Sequence, residues 1–252
     1  MAHSDRETAI VILAAGLGTR MKSDKAKVLH EIMGKPMVHY VLEASLSVVD
    51  SRNIIVVIGC QAEQVRSAVT EKCEVRFANQ PEQLGTGHAV QCALSQIPEN
   101  VADVIILCGD VPFISARTID NLLARHREAA NVVTVLSVNL EEPRGYGRII
   151  VAKGDTIERI VEEADASDTE KAVTLVNAGI YCVKSDFLAG ALSRLNTDNQ
   201  QKELYLTDIV AIASSAGQRV GTVISPDPAE VIGVNSVADL KLAETLFRKR
   251  SM

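Results

Sequence analysis

Four groups of residues in this chain have the types and spacing to do chemistry, and the richest of them runs from Ala9 to Lys22. Its order is Ala-Ile-Val-Ile-Leu-Ala-Ala-Gly-Leu-Gly-Thr-Arg-Met-Lys, with Lys27 five residues further on. An uncharged, β-branched run opens into two glycines and then into cations. Gly16 and Gly18 allow close backbone approach and positive φ, so that amide N–H groups turn toward an anion. Arg20, Lys22 and Lys27 add mobile positive charge, and a guanidinium grips two phosphate oxygens at once. This combination suits a polyphosphate. The third glycine of the dinucleotide fingerprint is missing and no Gly-Lys-Ser/Thr occurs, so neither NAD binding nor P-loop chemistry is expected.

The second group is Asp110, after Leu107-Cys-Gly109, with Asn235 in Gly233-Val-Asn-Ser236. At a strand end the carboxylate suits Mg²⁺, which takes hard oxygen ligands together with substrate phosphates; its alternative is to cap a turn before Pro112. Asn235 is either the cap of the last helix or a second oxygen ligand. The third group is Gln80 with Gln83-Leu-Gly-Thr-Gly-His88, a glycine loop ahead of a helix, whose amides suit the edge of a base; a plain surface crossing is its alternative. The fourth is Gly145-Tyr-Gly147, Glu162 and Asn177, which offer close backbone approach, a carboxylate and an amide to sugar hydroxyls and an amide substituent.

Elements of two kinds must position these groups. The apolar segments Ala9–Ala15, Asn53–Ile58, Val75–Ala78, Asp103–Cys108, Val132–Val138, Leu175–Val183 and Val220–Ile224 read as strands. Between them, helices are expected at Pro36–Val49, Ala62–Thr70, Gly87–Gln96, Ala116–Ala130, Ser185–Leu195 and Leu206–Gly217, with a last one at Val237–Arg250. The alternation predicts a parallel sheet with helices on both faces, and hence ligands beyond the carboxyl ends of the strands. From Arg144 to Val161 a hairpin turning at Lys153-Gly-Asp155 is expected to stand off this core, and the charged stretch Glu162–Lys171 reads as a solvated loop.

Composition narrows the class. The chain has 252 residues, 47% of them hydrophobic, enough for a substantial core and one domain over residues 1–252. A net charge of −6 speaks against a broad nucleic-acid surface, so positive charge must act locally. The longest wholly apolar run has seven residues, too short for a membrane span, and the first residues do not resemble a signal peptide; a cytoplasmic protein without membrane or nucleic-acid partners is expected. Five cysteines without a Cys-x-x-Cys and five histidines without metal spacing read as structural, most of the cysteines as small buried hydrophobes. No hexapeptide repeat of a left-handed β-helix is present.

Taken together, Leu13-Ala-Ala-Gly-Leu-Gly-Thr-Arg-Met21, Lys27-Val-Leu-His30, Gln83-Leu-Gly-Thr-Gly-His-Ala89, Gly109-Asp-Val-Pro112, Gly145-Tyr-Gly-Arg148, Ile160-Val-Glu162, Asn177-Ala-Gly179, Tyr205-Leu-Thr-Asp208 and Gly233-Val-Asn235 resemble the uridylyltransferase half of bacterial bifunctional N-acetylglucosamine-1-phosphate uridylyltransferases, over about residues 8–245. The resemblance implies an α/β, Rossmann-like nucleotidyltransferase fold (glycosyltransferase A-like) with a mixed, mainly parallel sheet and a small β-hairpin annex. It implies Mg²⁺-dependent transfer from UTP to N-acetylglucosamine-1-phosphate, giving UDP-N-acetylglucosamine and pyrophosphate. Arg20 and Lys27 would contact the triphosphate and the transition state; Ala14, Gly16, Gln80, Gly85 and Thr86 would hold uridine, and Leu13 would also bind substrate. Gly147, Glu162 and Asn177 would bind the amino-sugar phosphate, and Asp110 with Asn235 would hold the metal. Cys108 stands where many members carry tyrosine, and no β-helix acetyltransferase domain, of the kind that usually follows and usually trimerises the relatives, is expected within residues 1–252. Transfer to another sugar or polyol phosphate, and non-catalytic nucleotide-sugar binding, are the alternatives.

Overall fold

Strand β4 (Ile54–Ile58) shows why this sequence folds in layers. All five of its residues are buried; Ile54, Val56 and Ile58 enter one core and Ile55 and Val57 the other. A continuous apolar run is what a strand covered on both faces requires, because successive side chains point to opposite sides. Strand β1 (Glu7–Leu13) behaves alike, with Ile10 and Ile12 on one side and Ala9 and Val11 on the other.

The computed structural model describes residues 7–152 and 156–250. Within them, two short strands, β2 (Glu31–Ile32) and β3 (Lys35–Pro36), pair as a ribbon. The main sheet adds β5 (Arg76–Asn79), β6 (Val101–Cys108), β7 (Val133–Asn139), β8 (Arg148–Val151), β9 (Ile157–Val161), β10 (Leu175–Lys184) and β11 (Val220–Ile224). Its order is β11-β7-β10-β6-β1-β4-β5, with β8 attached to β10 and β9 to β8. Helices α1 (Met37–Leu46), α2 (Ala62–Lys72) and α4 (Ala116–Glu128) supply Val38, Val41, Leu42, Val65, Val69, Ile119 and Leu122 to the first core. Helices α3 (Thr86–Ala93), α6 (Ser185–Leu192) and α7 (Asp208–Ser215) supply Val90, Leu188, Leu192, Ile209 and Val210 to the second. Each such fully buried aliphatic side chain contributes about 1.5–3 kcal/mol over an exposed one. The last helix, α8 (Val237–Arg250), covers a third, small cluster in which Phe113 and Phe247 stack at 4.3 Å between centroids.

The sheet is mixed, as the resemblance implies, and not wholly parallel, as alternation alone suggests. Strand β10 runs antiparallel to both β6 and β7, while β1, β4, β5 and β6 pair in parallel, as do β7 and β11. An apolar run buried on both faces carries no mark of its direction, so the alternation could not reveal this reversal. The ladder between β10 and β7 is interrupted between Asn177 and Ile180, where Gly179 takes φ +73° and its N–H donates to Asn177 Oδ1 at 2.9 Å. Below this bulge β10 pairs with β8 through Val176 and Arg148, so the hairpin annex hangs from the bulged strand. The expected turn at Lys153-Gly-Asp155 lies outside the described residues. The stretch Glu162–Lys171 is not all loop: α5 (Asp168–Lys171) forms behind a Ser167–Glu170 capping box. The cysteines are free, but only Cys182 is buried; Cys60, Cys73, Cys92 and Cys108 are half-buried, which corrects the expectation for most of them. Among the described residues no helix is long and apolar enough to cross a membrane.

Candidate active site

The first strand ends at Leu13 with β4 on one side and β6 on the other, and the chain passes to β4 before it returns to β6. At such a switch point the connections diverge and leave a crevice. Two adjoining cavities of about 500 and 350 Å³ occupy it and share Leu13, Thr86, Cys108 and Asp110. The larger is also lined by Arg20, Gly147, Glu162, Asn177 and Asn235, the smaller by Gly16, Lys27, Gln80 and Gly85. Of the residues that the resemblance assigns to the site, Ala14 alone does not line the crevice. It is buried beneath it, its N–H donating to the Val57 carbonyl.

The glycine turn differs in detail from its expected form. Of its two glycines only Gly18 has a left-handed φ, +62°, and a Cβ there would stand 2.6 Å from Lys27 Cβ. Glycine is thus required so that the loop can lie on the lysine stem. Lys27 is consequently pinned: its Nζ donates to Asp110 Oδ2 at 2.5 Å and to Asn235 Oδ1 at 3.0 Å. Arg20 is exposed and makes no hydrogen bond or ion pair among the described residues, leaving its guanidinium available. Lys22 is exposed and lines neither cavity, against its expected place in the cradle.

At Asp110 and Asn235 neither side chain takes up the capping role that was its alternative. The Asp110 carboxylate goes to Lys27 and caps no turn. Ser236 and Asp239 cap the last helix reciprocally, Asp239 N–H donating to Ser236 Oγ at 3.2 Å and Ser236 N–H to Asp239 Oδ2 at 2.8 Å. The Asn235 amide is therefore free to face the crevice. The Val234 N–H donates to the Asp110 carbonyl at 2.9 Å and joins the two segments independently of their side chains.

On the smaller cavity, Gln80 is buried and donates through Nε2 to the Gly85 carbonyl at 3.1 Å. Gly85, at φ +109°, lies against the Leu204 backbone, where a Cβ would meet the carbonyl oxygen at 2.6 Å. Thr86 Oγ1 accepts from Leu206 N–H at 3.1 Å. The Gln-Leu-Gly-Thr-Gly run is thus moulded onto residues 204–206 as well as open to a ligand.

On the larger cavity, Gly147, Glu162 and Asn177 converge. A Cβ on Gly147 would stand 3.4 Å from Glu162 Oε2, and the Gly147 carbonyl accepts from Asn177 N–H at 2.9 Å. Burial raises the Glu162 carboxyl above the usual range; Thr207, donating to it at 3.1 Å, works against this rise, while Asp208, Asp165 and Glu203 add to it. Buried Tyr181 accepts from Asn177 Nδ2 at 2.7 Å and fixes that amide. Burial likewise pushes the Cys108 thiol up to about 12, so a neutral thiol stands at the junction of the cavities and donates to the Gly179 carbonyl.

Three contributors went unassigned in the sequence. Thr207 and Tyr181 hold Glu162 and Asn177, although Thr207 lies in the quoted Tyr205-Leu-Thr-Asp208 motif. Arg148 is 2% exposed, pairs with Glu163 at 2.6 Å and donates to the Tyr146 carbonyl, thereby tying the Gly145–Gly147 turn to the segment that carries Glu162. An arginine opening a strand next to a glycine pair was the available signal.

Residues 10–208 match the model of the MobA-like NTP transferase domain. A bifunctional protein GlmU of Desulfotalea psychrophila is 46% identical over 96% of this chain and 71% of its own length. Another, from Geotalea uraniireducens, is 48% identical over 96% of this chain and 53% of its own length. The chain spans about half the length of most of the curated relatives it matches. In fold it is similar to a CMP:2-keto-3-deoxy-manno-octonic acid synthetase complexed with CTP, at TM-score 0.73 and 22% identity over 97% of this chain and 99% of that one. It is equally similar to a UDP-glucose pyrophosphorylase complexed with UDP-glucose, at TM-score 0.73 and 17% identity over the same shares. The chain thus belongs to the MobA-like NTP transferase family, as a nucleotidyltransferase domain of the GlmU type.

Proposed function

We propose that this domain transfers the uridylyl group of UTP to N-acetylglucosamine-1-phosphate, giving UDP-N-acetylglucosamine and pyrophosphate, with Mg²⁺ as cofactor and in the cytoplasm. Residues 1–252 act as one catalytic domain in this reading. The observation that carries it is the continuity of two cavities across a cation–carboxylate cluster: Lys27 lines one, Asn235 the other, and Asp110 both. Leu13, Gly16, Gln80, Gly85 and Thr86 receive the nucleoside, with Ala14 supporting them from beneath. Gly147, Glu162 and Asn177 receive the amino sugar.

An oxygen of the sugar phosphate attacks the α-phosphorus of UTP, and the bond to the departing pyrophosphate breaks in line with it. The nucleophile is already anionic, so no general base is needed. What the protein must supply is tolerance of two polyanions side by side. Arg20 reaches phosphate oxygens from the larger cavity and Lys27 from the smaller, and charge placed in advance in this way contributes about 3–4 kcal/mol per well-aimed group. Holding the two substrates end to end contributes several more. Asp110 and Asn235 suit Mg²⁺, because a carboxylate and an amide oxygen, both hard donors, converge within 3.0 Å of one positive charge. When bound there, the ion neutralises phosphate charge.

Pyrophosphate release measured across a panel of nucleoside triphosphates and sugar phosphates tests the substrate pair. UTP with N-acetylglucosamine-1-phosphate should be fastest; preference for CTP or dTTP contradicts the assignment.

A further inference from the structure

In the free protein the two oxygen donors assigned to the metal already hold a cation, and that cation is a side chain. Lys27 Nζ stands 2.5 Å from Asp110 Oδ2 and 3.0 Å from Asn235 Oδ1. The pair is largely shielded, with side-chain exposures of 17% for Lys27 and 14% for Asp110, so water does little to weaken the charge on it. We propose that Lys27 is a built-in placeholder: its ammonium occupies the Asp110–Asn235 donor pair and keeps divalent cations out until the phosphates of a nucleotide draw it away. This rests on the assignment of Asp110 and Asn235 to the metal.

Two further features give the placeholder its direction. The Gly16–Gly18 loop, which is to receive phosphate, lies on the lysine arm; Cβ atoms built at these glycines fall 3.9 Å from Lys27 Cε and 2.6 Å from Lys27 Cβ. An anion entering this loop therefore approaches the ammonium directly. The donor pair, in turn, does not depend on the lysine for its assembly, because Val234 N–H donates to the Asp110 carbonyl at 2.9 Å and Asn235 N–H to Asp239 Oδ2 at 3.0 Å. Withdrawing Lys27 leaves both oxygens in place and restores a net negative charge. Metal affinity and nucleotide affinity are then coupled, each raising the other by the same factor.

Binding of Mn²⁺, followed by the electron paramagnetic resonance of the free ion, tests this without any turnover. For the wild type, affinity should be weak alone and much stronger with UTP than for the Mn²⁺–UTP complex by itself. Lys27→Met and Lys27→Gln should tighten Mn²⁺ binding to the nucleotide-free protein by about tenfold or more, since removing a unit charge beside a carboxylate removes its repulsion of a dication. The effect of UTP should shrink in the same variants. Equal Mn²⁺ affinity of free wild type and whichever variants fold, or a full UTP effect retained in them, overturns the placeholder. Asp110→Asn separates this from failure of the metal assignment. Loss of Mn²⁺ binding with UTP present upholds the assignment, whereas unchanged binding overturns both.

Discussion

Strand β6 carries a buried carboxylate near its start and another just beyond its end, and the two are furnished in opposite ways. Asp103 is 1% exposed and meets Lys184 at 2.6 Å, Arg127 at 2.7 Å and His126 at 3.5 Å. Burial alone would raise this acid, but the nearby His126 and the hydrogen bonds from Lys184 and Arg127 outweigh it and hold the carboxyl far below the usual range. Asp110 faces a crevice and has one cation, Lys27, beside it. The same residue type thus serves two purposes on one strand. Where Lys184 and Arg127 both meet the carboxylate, it ties β6, β10 and α4 together, and Arg127 also donates to Thr8 of β1, at the closed end of the sheet. Where a single cation meets it in an open crevice, its charge remains available to a ligand. The amino ends of the parallel strands are packed for stability and the carboxyl ends are left for chemistry.

This contrast breaks most readily at the open end. Lys27→Ala and Arg20→Ala should each lower kcat about a hundredfold or more while the melting temperature falls little, because both side chains line the crevice, where the proposed function puts phosphate, and neither belongs to the core. Unchanged turnover in either variant removes it from the mechanism. At the closed end the effects should reverse: Asp103→Asn should cost about 2 kcal/mol in denaturant unfolding, since it removes the buried charge to which Lys184 and Arg127 donate, and leave both KM values as they were. A variant as stable as the wild type, or one with altered KM, would erase the distinction.

Smaller effects sharpen it. Arg148→Lys keeps the charge but loses the guanidinium whose Nη1 meets both the Tyr146 carbonyl and Glu163, so KM for the sugar phosphate should rise about tenfold with KM for UTP unchanged. Equal effects on both substrates would mean that Arg148 serves the fold in general. Asp110→Asn should raise the Mg²⁺ concentration needed for half-maximal rate several-fold, since a charged donor is lost. Finally, a depressed carboxyl stabilises above its unfolded pKa, about 3.9, and the gain is lost as pH falls toward its folded value. Wild-type stability should therefore decline below about pH 4, and the Asp103→Asn profile should be flatter there.

Much of this arrangement was legible before the structure. The glycine–cation turn, Asp110 and the Gln80–Thr86 loop each stand just past an apolar strand, and strand ends meet at one edge of an α/β sheet; their convergence follows from topology. Gly147, Glu162 and Asn177 were harder to group, because what gathers them is the bulge at Asn177–Gly179 and the hairpin hung from it. A register shift of this kind leaves only a glycine as its trace in the sequence. The reversal of β10 left none. Burial of Arg148 and capture of Lys27 by Asp110 and Asn235 depend on residues 15 and 83 or more positions away, so no local pattern encodes them.

The open crevice is tested most directly by following the label of α-phosphate-labelled UTP in the presence of N-acetylglucosamine-1-phosphate and Mg²⁺. The label should appear in UDP-N-acetylglucosamine, one pyrophosphate should be released for each, and none of the label should remain on the protein. Folded protein that binds both substrates yet moves no label between them would contradict the assignment of this site to uridylyl transfer.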